Sequence, residues 1–341
     1  MKCYFCLEER EPSDEHVFPL AIGGALVCKR VCVDCNSELG NKVDGGLNNH
    51  PLIVLKREKH GLTGNSGKIP NFLEHLENSH IAGDENAKIR LTKNKRGEIV
   101  PYHIYRATET RIGDDTYLRE ISIDYSDKKN IPKIIERERK RNGMKKLSKE
   151  ELDKEVSEIL EKGPVTVDMP KISSSLKVDL SSFRRCMMKI AYELACMWLG
   201  DQYLDDPTAD RLRKIIMGID EESPENGIKI VFGTDGMLFP FLRGQEETHA
   251  AALSEINNSI IICLKIFNTI STAIVVTERA DLYISNPLDK KARRCLVNNI
   301  KTNRYRNWSI VAEHIHCCFR RLCMQSVSPH AVLYLQRHCT S

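Results

Sequence analysis

The sequence predicts an α+β protein in two parts, a small cysteine-bound amino-terminal lobe joined to a larger mixed α+β region. Three observations predict it. Two Cys-x-x-Cys pairs, Cys3/Cys6 and Cys32/Cys35, flank residues 7–31. Apolar residues recur at three- and four-residue steps between 182 and 217, the period of a helix face. Runs of β-branched residues broken by turn formers fill 228–277, as strands do.

Doubled Cys-x-x-Cys pairs at this separation have the spacing of a structural zinc site, each pair forming one knuckle and half a tetrahedron. The alternative is four buried thiols in a reducing compartment. Zinc here would be scaffold, so the chemistry should lie between the knuckles. The chain has 13 cysteines, an odd number with no framework outside the first thirty-five residues. That pattern predicts reduced thiols and a cytoplasmic protein.

Between the pairs lie Glu15-His16-Val17-Phe18-Pro19 and Gly23-Gly24, and Asn36 directly follows the fourth cysteine. A glycine pair permits the positive φ of a tight turn, and Pro19 ends ladder pairing. Adjacent side chains on a strand point to opposite faces, so Glu15 and His16 can share one ion only on a twisted or irregular hairpin.

This set resembles the HNH family of ββα-metal endonucleases, in particular its zinc-bearing members written Cys-x-x-Cys, Glu-His, Cys-x-x-Cys-Asn; the likeness runs from Cys3 to about Leu47. The resemblance implies a β-hairpin followed by a short helix. It also implies that His16 is the general base and that Glu15 and Asn36 hold one Mg²⁺ or Mn²⁺, with Cys3, Cys6, Cys32 and Cys35 on Zn²⁺. Imidazole, with an ordinary pKa near 6.5, suits the base role, and carboxylate and amide oxygens suit Mg²⁺. The sequence departs from the family in two places, the first being Glu15 where Asp is commoner, a longer arm that the Glu-His members accept. Most relatives brace the hairpin with an Asn before the third cysteine, where this chain has Ala25-Leu26-Val27-Cys28-Lys29-Arg30. Either Cys28 or a backbone group then supplies the brace, or the site is less well positioned than in the relatives. Asp44 and His50, just past the helix, are further candidates for the metal or the nucleic acid, or else caps and loop residues.

These boundaries give an HNH module over 1–60, a connecting region over 61–83 and an α+β domain over 84–341. Within the last, strands are expected at 87–91, 98–100 and 117–124, and helices at 133–142 and 148–162, the second opened by the capping box Ser148-x-x-Glu151. Phe183, Met187, Ile190, Ala191, Leu194 and Trp198 mark a core helix, and Pro207 starts another. In the subfamily, a segment like Lys189-Ile190-Ala191-Tyr192-Glu193-Leu194-Ala195 often follows the nuclease. Strands at 228–232, 249–256, 259–267 and 272–277 would form an antiparallel meander. A tail helix over 311–323 would carry His314, His316, Cys317, Cys318 and Cys323.

The net charge is only +4, so a nucleic-acid footprint must be local. Residues 128–149 hold ten basic side chains against Glu136 and Glu138, as a backbone-tracking helix or a solvated one would. Candidate phosphate contacts are Lys29, Arg30, Lys56, Arg57, Arg137, Lys140 and Arg141. No apolar run is long enough for a membrane span. The family resemblance implies a metal-dependent endonuclease acting on nucleic acid, foremost DNA. The carboxy-terminal region would control it or dock a protein partner or a second copy, with antiviral defence as one setting. A zinc-stabilised binding or assembly subunit without cleavage is the alternative.

Overall fold

The computed structural model describes residues 1–111, 117–161, 163–164, 171–221, 227–233, 247–284 and 292–311. The chain divides into two compact units, one formed by Met1–Pro70 with Val178–Ser341 and the other by Asn71–Lys177. The amino-terminal lobe therefore shares a unit with the far end of the chain. This differs from the expected single domain over 84–341, and the hydrophobic core shows why. Phe5, Val17, Phe18, Ile22, Leu39 and Leu47 lie in one apolar cluster with side chains from 183 to 296. A fifty-residue metal lobe buries too little apolar surface to close a core alone.

The lobe begins with β1 (Pro12–His16) and β2 (Val27–Cys32), antiparallel, followed by the helices α1 (Val33–Lys42), α2 (Asp44–Asn48) and α3 (Pro51–His60). The β1–β2 register slips between Ser13↔Val31 and Glu15↔Cys28, leaving an additional residue on β2. Such a bulge increases local twist and re-aims side chains next to Glu15. Pro51 stands in the first turn of α3, and Gly61 closes that helix in the left-handed conformation at φ 67°.

The second unit contains β3 (Leu76–Ile81), β4 (Asp84–Lys93), β5 (Ile99–His103), β6 (Arg106–Arg111), β7 (Tyr117–Ser122), α4 (Ile131–Arg141), α5 (Lys149–Glu161) and β8 (Ile172–Leu176). Its main sheet has the order β5-β4-β3-β8, and β6 and β7 pair as a separate hairpin. The capping box is formed: Ser148 N–H donates to Glu151 Oε2 at 2.8 Å and Glu151 N–H to Ser148 Oγ at 3.2 Å.

The first unit resumes with α6 (Leu180–Leu199), α7 (Pro207–Met217), β9 (Ile230–Gly233), β10 (Thr248–Ile256), β11 (Ser259–Ile266), β12 (Ile270–Thr277), β13 (Ala292–Asn299) and β14 (Arg304–Val311). The strands form one antiparallel sheet in the order β14-β13-β10-β11-β12-β9. Asn257 and Asn258, at φ 49° and 60°, make the expected tight turn. The meander holds for β10-β11-β12, but β13 adds beyond β10 and β9 beyond β12. Val311 ends a strand rather than starting a helix, and the remainder of the expected tail helix, with its His and Cys residues, lies outside the described residues. No described helix is long and apolar enough to cross a membrane.

Candidate active site

The four Sγ atoms of Cys3, Cys6, Cys32 and Cys35 all lie within 4.8 Å of one another. Cys6 Sγ and Cys32 Sγ are 3.9 Å apart, close to the edge of about 3.8 Å of a tetrahedron with Zn–S of about 2.3 Å. The amides of Phe5 and Cys32 donate to Cys3 Sγ at 3.5 and 3.4 Å. Burial works against a Cys3 thiolate, but the hydrogen bonds from Cys6, Cys32 and Phe5 outweigh it and lower its pKa. The donor set fits zinc. Among the described residues these thiols are the one group of His, Cys, Asp or Glu with three or more donor atoms around a common point.

The hairpin loop fixes the imidazole. His16 Nδ1 lies 3.1 Å from the Gly24 carbonyl; a carbonyl only accepts, so Nδ1 carries a proton, and in the neutral ring the lone pair is then on Nε2. Gly23 is left-handed at φ 83°. Gly24 is required for another reason, since a Cβ there would stand 1.7 Å from the Phe18 carbonyl oxygen. On α1, Asn36 Nδ2 donates to Ser13 Oγ at 3.0 Å and to the Asp14 carbonyl at 3.2 Å, tying the helix to β1. His16 and Asn36 thereby line one open cleft of about 750 Å³, with Asp14, Glu15, Asp44 and Arg57.

Glu15 is 3% exposed and ion-paired through Oε1 with Lys189 of α6. The Lys189 ammonium also donates to the His16 carbonyl at 2.9 Å and lies 3.3 Å from Asp44 Oδ1 and 3.7 Å from Glu193 Oε2. Both α6 residues are fully buried. Burial alone would drive the ammonium neutral, but Glu193, Asp44 and Glu15 reverse this and raise its pKa well above the ordinary value. Three carboxylates exceed one ammonium. Burial is the largest cause raising the Glu193 pKa, opposed by the Lys189 ammonium and reinforced by the Glu15 and Asp44 carboxylates.

The other sequence candidates are dispersed. Lys29 is exposed and paired with Asp14 at 3.4 Å, whereas Arg30 stacks 5.0 Å over Tyr4 and pairs with Asp201 at 3.1 Å. Lys56 is half-buried on α3. Arg57 is buried, and its guanidinium donates to the carbonyls of Ala21, Asn48 and Thr63 at 2.8, 3.1 and 3.4 Å. It is a strap between loops rather than the exposed cation expected. In the second unit, Arg137 lies 4.7 Å over the Tyr105 ring and Arg141 pairs with Glu138 at 3.3 Å, leaving Lys140 exposed on α4. Asp44 belongs to the Lys189 cluster; His50 packs 4.8 Å from the Phe183 ring.

A cysteine-bound hairpin followed by a helix, with histidine and asparagine side chains on one cleft, is the ββα-metal arrangement. Residues 3–52 match the family model described as HNH endonuclease, so the amino-terminal segment is an HNH module with a four-cysteine zinc-type site. An HNH domain implies a nucleic-acid substrate. No curated protein and no solved structure matches the chain.

Sequence reasoning named Lys189 and Glu193 only as part of a segment that often follows the nuclease, with no role, and did not anticipate His249 or Asn298. The first two were visible as a lysine and a glutamate four apart inside an otherwise apolar helix, where burial demands a partner for each charge. The last two carry no such local signal.

Proposed function

We propose that the protein is a metal-dependent endonuclease that hydrolyses phosphodiester bonds in nucleic acid, foremost DNA. The observation that carries this is the His16 imidazole, hydrogen-bonded through Nδ1 to the Gly24 carbonyl and lining the same cleft as Asn36, which leaves Nε2 as the nitrogen to act as base. Nε2 takes a proton from a water as its oxygen attacks phosphorus, and the bond from phosphorus to the leaving oxygen breaks. Asn36 donates its amide hydrogens to β1, so its carbonyl oxygen is the atom left for a cation. Glu15 has Oε1 on Lys189, and its carboxylate lines the same cleft. When bound at Glu15 and Asn36, Mg²⁺ or Mn²⁺ neutralises the charge that develops on the phosphate and leaving oxygens. Two protein oxygens are a normal share for Mg²⁺, which takes its other ligands from water and substrate phosphate.

Control by the remainder of the chain is part of the same proposal, in a cytoplasmic setting such as antiviral defence. Its support is the direct contact of α6 with Glu15. The test is a divalent-ion cleavage panel over plasmid, single-stranded DNA and RNA. Wild-type protein should cut at least one substrate, and Glu15→Ala, His16→Ala and Asn36→Ala should each lose cleavage while retaining zinc. Cutting by the His16→Ala protein at the wild-type rate would refute the assignment.

A second possibility, a zinc-stabilised binding or assembly subunit without cleavage, is favoured by the inward turn of Glu15 onto Lys189. It predicts nucleic-acid binding or a larger assembly by size-exclusion mass, with no cleavage under any divalent ion.

A further inference from the structure

The loop that orients His16 is gripped from the opposite end of the sequence. Asn298 on β13 is fully buried; its Oδ1 accepts from Ala25 N–H at 2.8 Å, and its Nδ2 donates to the Gly23 carbonyl at 2.9 Å. These two bonds straddle Gly24, the residue whose carbonyl receives His16 Nδ1. His249 on β10, the register partner of Asn298, extends the grip by donating from Nε2 to the Ile22 carbonyl at 2.8 Å. The His249 ring is itself fixed, since Nδ1 accepts from Phe267 N–H at 3.2 Å and the ring stacks 5.4 Å from Phe18. One cross-strand pair thus holds backbone groups of residues 22, 23 and 25.

An amide side chain with donor and acceptor both engaged by one loop fixes its peptide planes more tightly than a hydroxyl or a carboxylate could. The packing leaves little slack. A Cβ on Gly23 would lie 2.1 Å from Ile300 Cγ2, so the loop sits directly on the end of β13. The stretch from Ala25 to Arg30 has no asparagine to brace the hairpin from within. Cys28, the candidate brace on β2, is instead buried opposite Glu15.

We propose that Asn298, supported by its strand partner His249, is a positioning residue of the nuclease: it fixes the Gly24 carbonyl and through it the tautomer and aim of the His16 imidazole. The catalytic geometry of residues 3–52 is therefore completed by a sheet formed some 250 residues later in the chain, and the HNH module does not reach it alone. This rests on the nuclease reading of His16.

The test compares Asn298→Ala and Asn298→Asp in the full chain, with zinc content and melting temperature confirming the fold. Asn298→Asp is nearly isosteric and keeps the acceptor for Ala25 while losing the donor to Gly23, so it decides the matter if the alanine variant does not fold. Two readouts are taken: kcat and KM for the substrate that wild type cleaves best, and the ¹⁵N–¹H correlations of the His16 ring, assigned by their loss in His16→Ala. The expected result is a fall in kcat on the order of a hundredfold with KM within about twofold, and a change from one Nδ1–H tautomer to a mixture. Folded variants with wild-type kcat and an unchanged tautomer would overturn the proposal. Absence of wild-type cleavage on every substrate would instead refute the nuclease reading, and the ring spectra would still decide whether Asn298 positions the imidazole.

Discussion

The ammonium of Lys189 lies 3.3 Å from the carboxylate of Asp44 and joins the core helix α6 to α2. Gly46, two residues on, completes the contact: a Cβ there would stand 2.1 Å from the Ser182 carbonyl oxygen. Tyr192 donates to the Tyr4 carbonyl at 2.6 Å and Arg213 to the Phe5 carbonyl at 3.2 Å, so α6 and α7 also hold the first knuckle. The charged cluster and both knuckles are one structural system.

Removal of the Lys189 charge strands three carboxylates. Lys189→Met should cost about 3–5 kcal/mol of unfolding free energy in urea, the range for breaking a buried ion pair from one side. Adding Glu193→Leu should recover part of that loss by removing one stranded acid. Wild-type stability in the single variant would show that the cluster is held by other means.

Close approach, not conformational freedom, explains Gly46. Gly46→Ala should destabilise the first unit by about 1–3 kcal/mol, as overpacking does. Gly40→Ala makes the contrast: nothing lies within 4 Å of a Cβ there and the residue is inside α1. That substitution should stabilise by about 0.5–1 kcal/mol through helix propensity. Equal melting shifts for the two variants would contradict the packing described.

Zinc should be present at one ion per chain when the protein is purified, measured by metal analysis. Cys35→Ser should lower the zinc content and with it the melting temperature, because a bound metal contributes its binding free energy to folding. Retention of full stability in a strong chelator would rule out a structural metal.

His249 makes the loop grip sensitive to acid. Burial lowers its pKa from 6.5 to about 4, with the nearby His60 charge adding to the effect and the Ile22 carbonyl opposing it. The unfolded chain binds this proton below about pH 6.5 and the folded chain only near 4, so stability rises with pH across that window and falls on acidification. Between about pH 7.5 and pH 5 the loss should be about 2 kcal/mol. Denaturation curves of wild type and His249→Gln at both values test this. The variant should be less stable at neutral pH and show a shallower pH dependence, and parallel slopes would exclude His249 as the source.

The zinc pairs, the hairpin with its glycines, the family of residues 3–52 and most helices and strands were legible in the sequence, because each depends on local spacing: two residues within a knuckle, period 3.6 in α6, β-branched runs in β10 to β12. The capping box of α5 and the Asn257-Asn258 turn were legible for the same reason. Tertiary structure alone decided the rest. Which chain segments build the core of the first unit, where Arg57 spends its donors, and which partner Glu15 takes all follow from contacts between residues distant in sequence, and no local period records such a pairing. The clearest case is Asn298. In sequence it is an ordinary polar residue near the end of a strand, and only the register of β13 against β10 brings its amide onto the loop beneath His16.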